Sequence, residues 1–482
     1  MKILIATPEA APYVKTGGLA DVMGALLNEY IKMNEEAYTI LPLYRKIKKS
    51  HTSLRNTGVK IKVPVGNKII EGKIFSDQSS AYFIECDEFF EREELYDTLR
   101  GDYIDNASRF IFFSRAVLEA CRVLNFKPDI IHCNDWQTGL VPLYLKTIYR
   151  ADEFFKNTAS VLTIHNLGYQ GLFQASELPL TGLGWEFFNP EGIEFYGKIN
   201  FLKAGLISAD ILTTVSNTYA KEILERECGC GLEGLLQKRE KDLYGVINGI
   251  DYEEWDPLKD EFIPDNFSIK DLRGRAECKR KLVKELSLEA SRRPLIGIIG
   301  RLAAQKGLDL VSQSVNELLS LGINLVILGK GDETFHISLS RSAKKHKGRV
   351  SVTIGFEEPL AHKIYAGSDF FLMPSRYEPC GLGQLIAMRY GCIPIGRKVG
   401  GLADTIQDYD PLTSEGTGLL FSDYTPSAIQ GAIKRALSVY TDKNRMKKMI
   451  MDAMKMDFSW RSSAEKYVEL YRIAFKKKRA EF

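Results

Sequence analysis

The chain has no run of about 18 apolar residues, so no segment of it is expected to cross a membrane as a helix. It has almost no net charge: 65 Lys and Arg stand against 62 Asp and Glu. That balance offers no broad basic face to nucleic acid or to an anionic membrane. Its eight cysteines lack the paired spacings of a disulfide framework, and Cys228-Gly229-Cys230 has no second Cys or His pair nearby to complete a zinc site. The P-loop lysine pattern is missing, as is a GxGxxG after the first strand-like run. The fingerprints of an ATPase and of a dinucleotide-dependent dehydrogenase are therefore absent. There is no low-complexity tract. The first residues read at once as a strand, without the flanks of a signal or transit peptide. These absences lead to the expectation of a soluble protein in a reducing cytoplasm, with no nucleic-acid and no membrane partner.

What is present is an alternation of short apolar runs with longer helical patterns, the mark of a parallel α/β protein. In the first half the runs fall at 3–6, 38–41, 130–133, 160–164, 211–215 and 244–247. In the second half they fall at 295–299, 324–328, 350–354, 370–373, 393–395 and 418–421. Each half has enough strands for a doubly wound sheet. The seam is expected near 251–265, an acidic, Pro-punctuated stretch without periodicity. The chain then ends in helices at about 429–439, 444–456 and 463–475. The Lys476-Lys477-Lys478-Arg479 run reads as a solvated helix end, where positive charge suits the dipole.

One heptapeptide occurs in both halves. Lys15-Thr16-Gly17-Gly18-Leu19-Ala20-Asp21 and Lys398-Val399-Gly400-Gly401-Leu402-Ala403-Asp404 differ only at their second position. Each follows an apolar run and leads into a helical pattern. A Gly-Gly turn in that place lets backbone N–H groups approach an anion.

Polar residues concentrate where strands should end. Asn134-Asp135-Trp136, His165-Asn166, Asn248-Gly249-Ile250-Asp251, Arg301 with Lys306-Gly307, and Ser375-Arg376-Tyr377-Glu378-Pro379-Cys380-Gly381-Leu382 each follow an apolar run. Ligands of open α/β sheets sit at the carboxyl ends of the strands. Arg301 and Lys306 bracket a strand-to-helix turn and can aim two cations at a phosphate, and Lys15 can add a third from the other half. Together they can neutralise a leaving diphosphate without a metal. Asp408-Tyr409-Asp410 has the spacing of some divalent-metal sites but lacks carboxylate support nearby, and reads as a loop. Pro379 pushes Glu378 into extended backbone. Asp135 and Glu378 can accept hydrogen bonds from sugar hydroxyls, and His165 stands beside Asn166 at a strand end.

With these motifs in order along nearly the whole chain, the sequence resembles the bacterial glycogen synthases and plant starch synthases of glycosyltransferase family 5. The resemblance rests on Lys15-Thr16-Gly17-Gly18-Leu19, Asn134-Asp135-Trp136-Gln137-Thr138-Gly139, His165-Asn166-Leu167-Gly168-Tyr169-Gln170-Gly171, Asn248-Gly249-Ile250-Asp251, Gly300-Arg301-Leu302 to Lys306-Gly307, and Glu378-Pro379-Cys380-Gly381-Leu382. It implies the GT-B fold, two Rossmann-like doubly wound parallel-sheet domains facing a deep cleft. The domains would be an acceptor-side domain at 1–255, a nucleotide-sugar domain at 256–455, and a helical segment at 456–482 that crosses back to the first.

The implied activity is retaining transfer of glucose from ADP-glucose to the non-reducing end of an α-1,4-glucan, with no cofactor and no metal. By position, Lys15, Arg301 and Lys306 would hold the diphosphate, and Gly18, Gly381 and Leu382 would meet it through backbone, with Cys380 beside them. Asp135, His165, Asn166 and Glu378 would hold the transferring glucose. Phe356 would lie against the adenine, and Asp21 and Asn248 would lie near the donor. No residue stands out as a covalent nucleophile, and the family mechanism is front-face attack.

Two departures stand out. Gly383 replaces a common Thr, which is expected to remove a hydroxyl and loosen the loop. Ile386 stands where related sucrose- and lipid-glycosylating enzymes keep a second glutamate. Another GT-B glucosyltransferase using UDP-glucose or a different acceptor, and a glucan-binding protein without catalysis, stay open as alternatives.

Overall fold

The computed structural model describes residues 1–98, 101–289 and 293–480. The chain forms two compact units. The first comprises Met1–Val215, Ala220–Val246 and Trp460–Phe482, and the second Ser216–Tyr219 and Ile247–Ser459.

The first unit is built on a nine-stranded sheet. In spatial order its strands are Leu243–Gly245, Ile211–Thr214, Ala159–Ile164, Ile130–Asn134, Lys2–Ala6, Glu36–Pro42, Ala81–Glu85, Lys68–Ser76 and Arg55–Val65. The first seven run parallel. Their central members are buried on both faces, which is why they read as continuous apolar runs. The last two strands pair antiparallel and escape the sequence reading, as does the parallel strand Ala81–Glu85. Arg55–Val65 alternates buried Ile61, Val63 and Val65 with exposed neighbours, so no apolar run marks it.

The last helix, Trp460–Arg479, packs in this unit. A chain of buried polar groups ties it to the sheet and to the helix Gly18–Lys32. The Tyr471 hydroxyl lies 2.8 Å from that of Tyr30 and 2.7 Å from His132 Nδ1, and His132 Nε2 lies 2.6 Å from Thr163 Oγ1. Burial, and then the neighbouring His165, holds the His132 pKa down at about 3, so the ring stays neutral. The basic run at this helix end is not simply solvated. Lys477 Nζ donates to Asp242 Oδ1 at 2.6 Å and to the Asp210 carbonyl at 3.1 Å, and Lys478 is buried. Tertiary partners, beyond the helix dipole, place those charges.

The second unit holds a six-stranded, all-parallel sheet in the order Val350–Ile354, Asn324–Gly329, Leu295–Ile299, Phe370–Met373, Ile393–Arg397 and Leu419–Phe421. All six coincide with apolar runs in the sequence. The helices Pro426–Thr441 and Lys443–Lys455 cover the end of this unit. Thr425 caps the first through its side chain, and Asp442 caps the second. Both sheets are doubly wound, and in each the parallel strands reverse their order once. The reversal falls beside Lys2–Ala6 in the first unit and beside Leu295–Ile299 in the second.

Candidate active site

In the first unit the residues that follow Lys2–Ala6 and Ile130–Asn134 meet at the reversal. Glu9, nearly fully buried, accepts hydrogen bonds from the Thr16 amide at 2.5 Å, the Thr16 hydroxyl at 2.6 Å, the Gly17 amide at 3.3 Å and the Tyr96 hydroxyl at 2.8 Å. It thereby anchors the glycine loop from beneath. The loop itself is exposed, and Gly17 has open space where a side chain would project. Gly18 opens the helix Gly18–Lys32, where the first amides have no partner within the helix. Lys15 Nζ pairs with Asp21 at 2.7 Å, with both side chains partly exposed. Such a pair is worth less than about 1 kcal/mol and is easily exchanged for another anion.

Asp135 follows Ile130–Asn134 with φ +55° and ψ −169°, a region that side-chain-bearing residues rarely occupy. The strain aims its carboxylate at the next strand end, where Oδ1 accepts the His165 amide at 2.8 Å. Burial pushes the Asp135 carboxyl up to about 7. The His165 and Asn166 amides oppose the rise, and the Glu9 charge adds to it. His165 Nε2 lies 3.0 Å from Asn134 Oδ1. The Asn134 amide donates to the Ala6 and His132 carbonyls, so its oxygen must accept. His165 therefore carries its proton on Nε2 and offers Nδ1 as an acceptor. Burial lowers its pKa to about 3. Asn166 turns its side-chain oxygen to the Gly168 amide at 3.0 Å.

In the second unit Lys306 sits in the tight turn Ala304–Lys306 after Leu295–Ile299. Its Nζ reaches both oxygens of Glu378, at 2.8 and 2.6 Å. Ser375 adds a hydroxyl to Glu378 Oε2 at 2.9 Å. Gly307, at φ +74°, makes this possible: a side chain there would collide with the Pro374 carbonyl. Arg301 is exposed and donates to Gln305 at 2.6 Å. Phe356 stands at the carboxyl end of the edge strand Val350–Ile354 with 78% of its surface exposed. Gln384 holds the Glu378 loop from behind, donating to the Cys380 and Gly381 carbonyls at 3.0 and 2.9 Å. Gly381 has φ +74°, and Leu382 caps the helix Gly383–Arg389. Cys380 is buried, and burial pushes its thiol up to about 12 despite the Asn248 amide that faces it. Asn248 Oδ1 is buried with no partner among the described residues.

The second heptapeptide does not do what its twin suggests. Gly400 and Gly401 are buried, and side chains on them would run into the Glu378 and Cys380 carbonyl oxygens. The Gly401 amide donates to the Glu378 carbonyl at 3.0 Å. This copy clamps the backbone of the Glu378 loop, and its amides are not offered to an anion. At Gly383 the neighbouring aromatic rings stand close to the backbone. A Cβ there would lie 2.8 Å from the Phe371 ring and 3.4 Å from the Tyr365 hydroxyl, so those aromatic side chains fill the space a Thr would need. Asp408 is engaged by Arg435 at 2.8 Å and by the Leu420 amide at 2.8 Å, and Asp410 caps its own turn. Trp185 is more than half exposed, and Trp255 is partly buried.

Residues 2–238 match the model of the starch synthase catalytic domain, and residues 280–455 match that of the glycosyl transferases group 1. The chain is 46% identical to a glycogen synthase of Thermodesulfovibrio yellowstonii, over 98% of this chain and 97% of that one. It is 47% identical to a glycogen synthase of Syntrophotalea carbinolica, over 98% and 99%. The chain belongs to the glycogen synthase family. Among solved structures, the catalytic domain of starch synthase IV from Arabidopsis thaliana, bound to ADP and acarbose, matches this glycogen synthase family member with TM-score 0.89 and 35% identity. The match covers 98% of this chain and 99% of that one. A sucrose-phosphate synthase from Thermosynechococcus elongatus, at TM-score 0.61 and 17% identity over 98% and 99%, shares the fold. Membership makes this family member a glycosyltransferase that moves glucosyl units onto glucan. No helix among the described residues is long and apolar enough to cross a membrane.

Sequence reasoning missed Glu9, Tyr96 and Gln384 as supports of this family member's site, and named Asn134 and Ser375 only as members of strand-end clusters. Glu9 had a signal, since it lies three residues beyond the first strand. Tyr96 had none, because only folding brings it to the loop, whereas Gln384 lies only three and four residues beyond Gly381 and Cys380.

The two heptapeptides should respond differently to the same change. Gly401→Ala is expected to cost about 1–3 kcal/mol of stability through overpacking, whereas Gly17→Ala should stay within about 0.5 kcal/mol. Thermal unfolding compares them, and equal effects would contradict the clamp. Asp135 gives a second expectation. Its folded pKa lies above that of an unfolded aspartate, so the native protein keeps a proton that the unfolded chain loses between about pH 4 and pH 7. Its contribution to stability falls as pH rises through that window and levels off above it. Asp135→Asn should therefore raise the unfolding midpoint at pH 8, with the gain shrinking toward pH 4. A gain that does not change with pH would show that the carboxyl is already ionised throughout.

Proposed function

We propose that this chain transfers glucose from ADP-glucose to the non-reducing end of an α-1,4-glucan with retention of configuration. The observation that carries the proposal is the Lys306–Glu378 pair at the strand reversal of the second unit, in a chain matched over nearly its full length by a starch synthase bound to ADP and acarbose. Glu378 occupies two of the three donors on Lys306, leaving the third for a donor phosphate oxygen. Arg301 and Lys15 add positive charge to the leaving diphosphate, and the Gly18, Gly381 and Leu382 amides complete its cradle. Phe356 offers a bare ring face to the base, with Asp21, Asn248 and Cys380 around the donor.

Asp135, His165, Asn166 and Glu378 hold the transferring glucose. His165, neutral and with Nδ1 open, accepts a sugar hydroxyl. The acceptor hydroxyl attacks the face the diphosphate leaves, its proton goes to a phosphate oxygen, and the pocket stabilises oxocarbenium character. In this reading residues 1–255 serve the acceptor side, 256–455 the nucleotide sugar, and 456–482 complete the first domain. Eight cysteines without a disulfide suit a reducing cytoplasm.

Elongation of an oligomaltose by the purified chain, measured with ADP-glucose and with UDP-glucose in the presence of EDTA, tests the proposal. ADP-glucose should be the better donor. Preference for UDP-glucose would replace the donor assignment, and no elongation with either would overturn the reading. Lys306→Ala and Glu378→Ala should each lose roughly 10²–10³-fold in kcat/KM. Near-parent turnover in either variant would remove that residue from the site.

A further inference from the structure

His362 has no part in the transfer chemistry, yet it is built like a metal ligand. It lies on the helix Glu358–Gly367, one turn after Glu358 and on the same face. Its ring is 1% exposed. Nδ1 lies 2.7 Å from Asp260 Oδ2, which also accepts the Tyr390 hydroxyl at 2.5 Å, while Asp260 Oδ1 accepts the Phe262 amide at 2.8 Å. A carboxylate already filled by two other donors can only accept from the ring, so the imidazole proton sits on Nδ1. Trp255 stacks on the ring at 4.0 Å and 13°, and Phe262 meets it edge-on at 4.9 Å. Orientation and tautomer are both locked.

The other nitrogen, Nε2, is buried and has no hydrogen-bond partner among the described residues. Glu254, Glu358 and His362 each offer a ligand atom, and these atoms all lie within 4.8 Å of one another. The two glutamates are exposed and can draw in around an ion. A carboxylate that fixes the far nitrogen of a ligating histidine is the usual outer support of a zinc ligand.

We propose that Glu254, Glu358 and His362 form a binding site for a divalent transition metal of the zinc class, with Asp260 as the positioning residue behind His362. One imidazole nitrogen and two carboxylate oxygens, at about 2.0–2.2 Å, leave a fourth tetrahedral position for water. The ion would tie the segment around Trp255 to the start of the helix that follows Phe356. It takes no part in the proposed transfer step.

The test uses the whole chain, stripped with EDTA and titrated with Zn²⁺ by calorimetry, and with Co²⁺ by visible absorption. One saturable equivalent is expected, with a d–d band of four- or five-coordinate Co²⁺. Glu254→Gln and Glu358→Gln change exposed side chains and should leave the fold intact by circular dichroism while weakening Zn²⁺ binding at least about 10-fold. Asp260→Asn should weaken it without removing a ligand. Absence of a saturable equivalent would overturn the site. So would unchanged affinity in both glutamate variants, which would show adventitious surface zinc only, or an octahedral Co²⁺ spectrum unaffected by them.

Discussion

The pairing of Lys306 with Glu378 is the constraint around which the second unit is arranged. A buried carboxylate is costly unless it is paired and hydrogen-bonded, and Glu378 receives two contacts from Lys306 and one from Ser375. To bring these together, the loops that follow two neighbouring strands must touch. Gly307 permits the touch by leaving room for Pro374, and Gly400 and Gly401 permit the next layer to press against the Glu378 loop. Gln384 then fastens the Cys380 and Gly381 carbonyls. Little of this is a gain in stability, since ion pairs of this kind break near even against desolvation. What it secures is position: an ammonium group with a donor to spare, held at the end of a parallel sheet.

The first unit meets the same topological opportunity by a different physical route. Its reversal point holds two acidic side chains, Glu9 and Asp135. Glu9 accepts hydrogen bonds from Thr16 and Gly17 of the glycine loop and from Tyr96, so the loop is held from beneath while its outer face stays open. Asp135 is held by backbone strain and by the amides of the next strand end, and it keeps a raised pKa. His165 is kept neutral by burial and locked in one tautomer by Asn134. The first unit thus offers acceptors of defined orientation and the second a fixed cation.

Much of this was legible in the sequence because parallel strands buried on both faces leave unbroken apolar runs, and polar residues just beyond them mark strand ends. All six strands of the second sheet, and the residues from Asp135 to Leu382 that crowd the strand ends, could be placed that way. The antiparallel strands Lys68–Ser76 and Arg55–Val65 could not, since their alternation hides among lysines and glutamates. Nor could the role of Lys477, whose partners Asp210 and Asp242 lie far away in sequence. The last helix met its unit through Tyr471, His132 and Tyr30, three residues that no local pattern connects.

The repeated heptapeptide draws the line most clearly. By itself the sequence determined two doubly wound α/β halves, the family, and the residue types at each strand end, because strand periodicity and turn chemistry are local properties. It also placed Gly at 17, 18, 400 and 401. Only the tertiary structure decided what those glycines are for. In the first copy the space beyond Gly17 is open. In the second, carbonyl oxygens from another loop fill the space where side chains would be. A glycine's value lies in the atoms that approach it, and those come from residues that only the folded chain brings near.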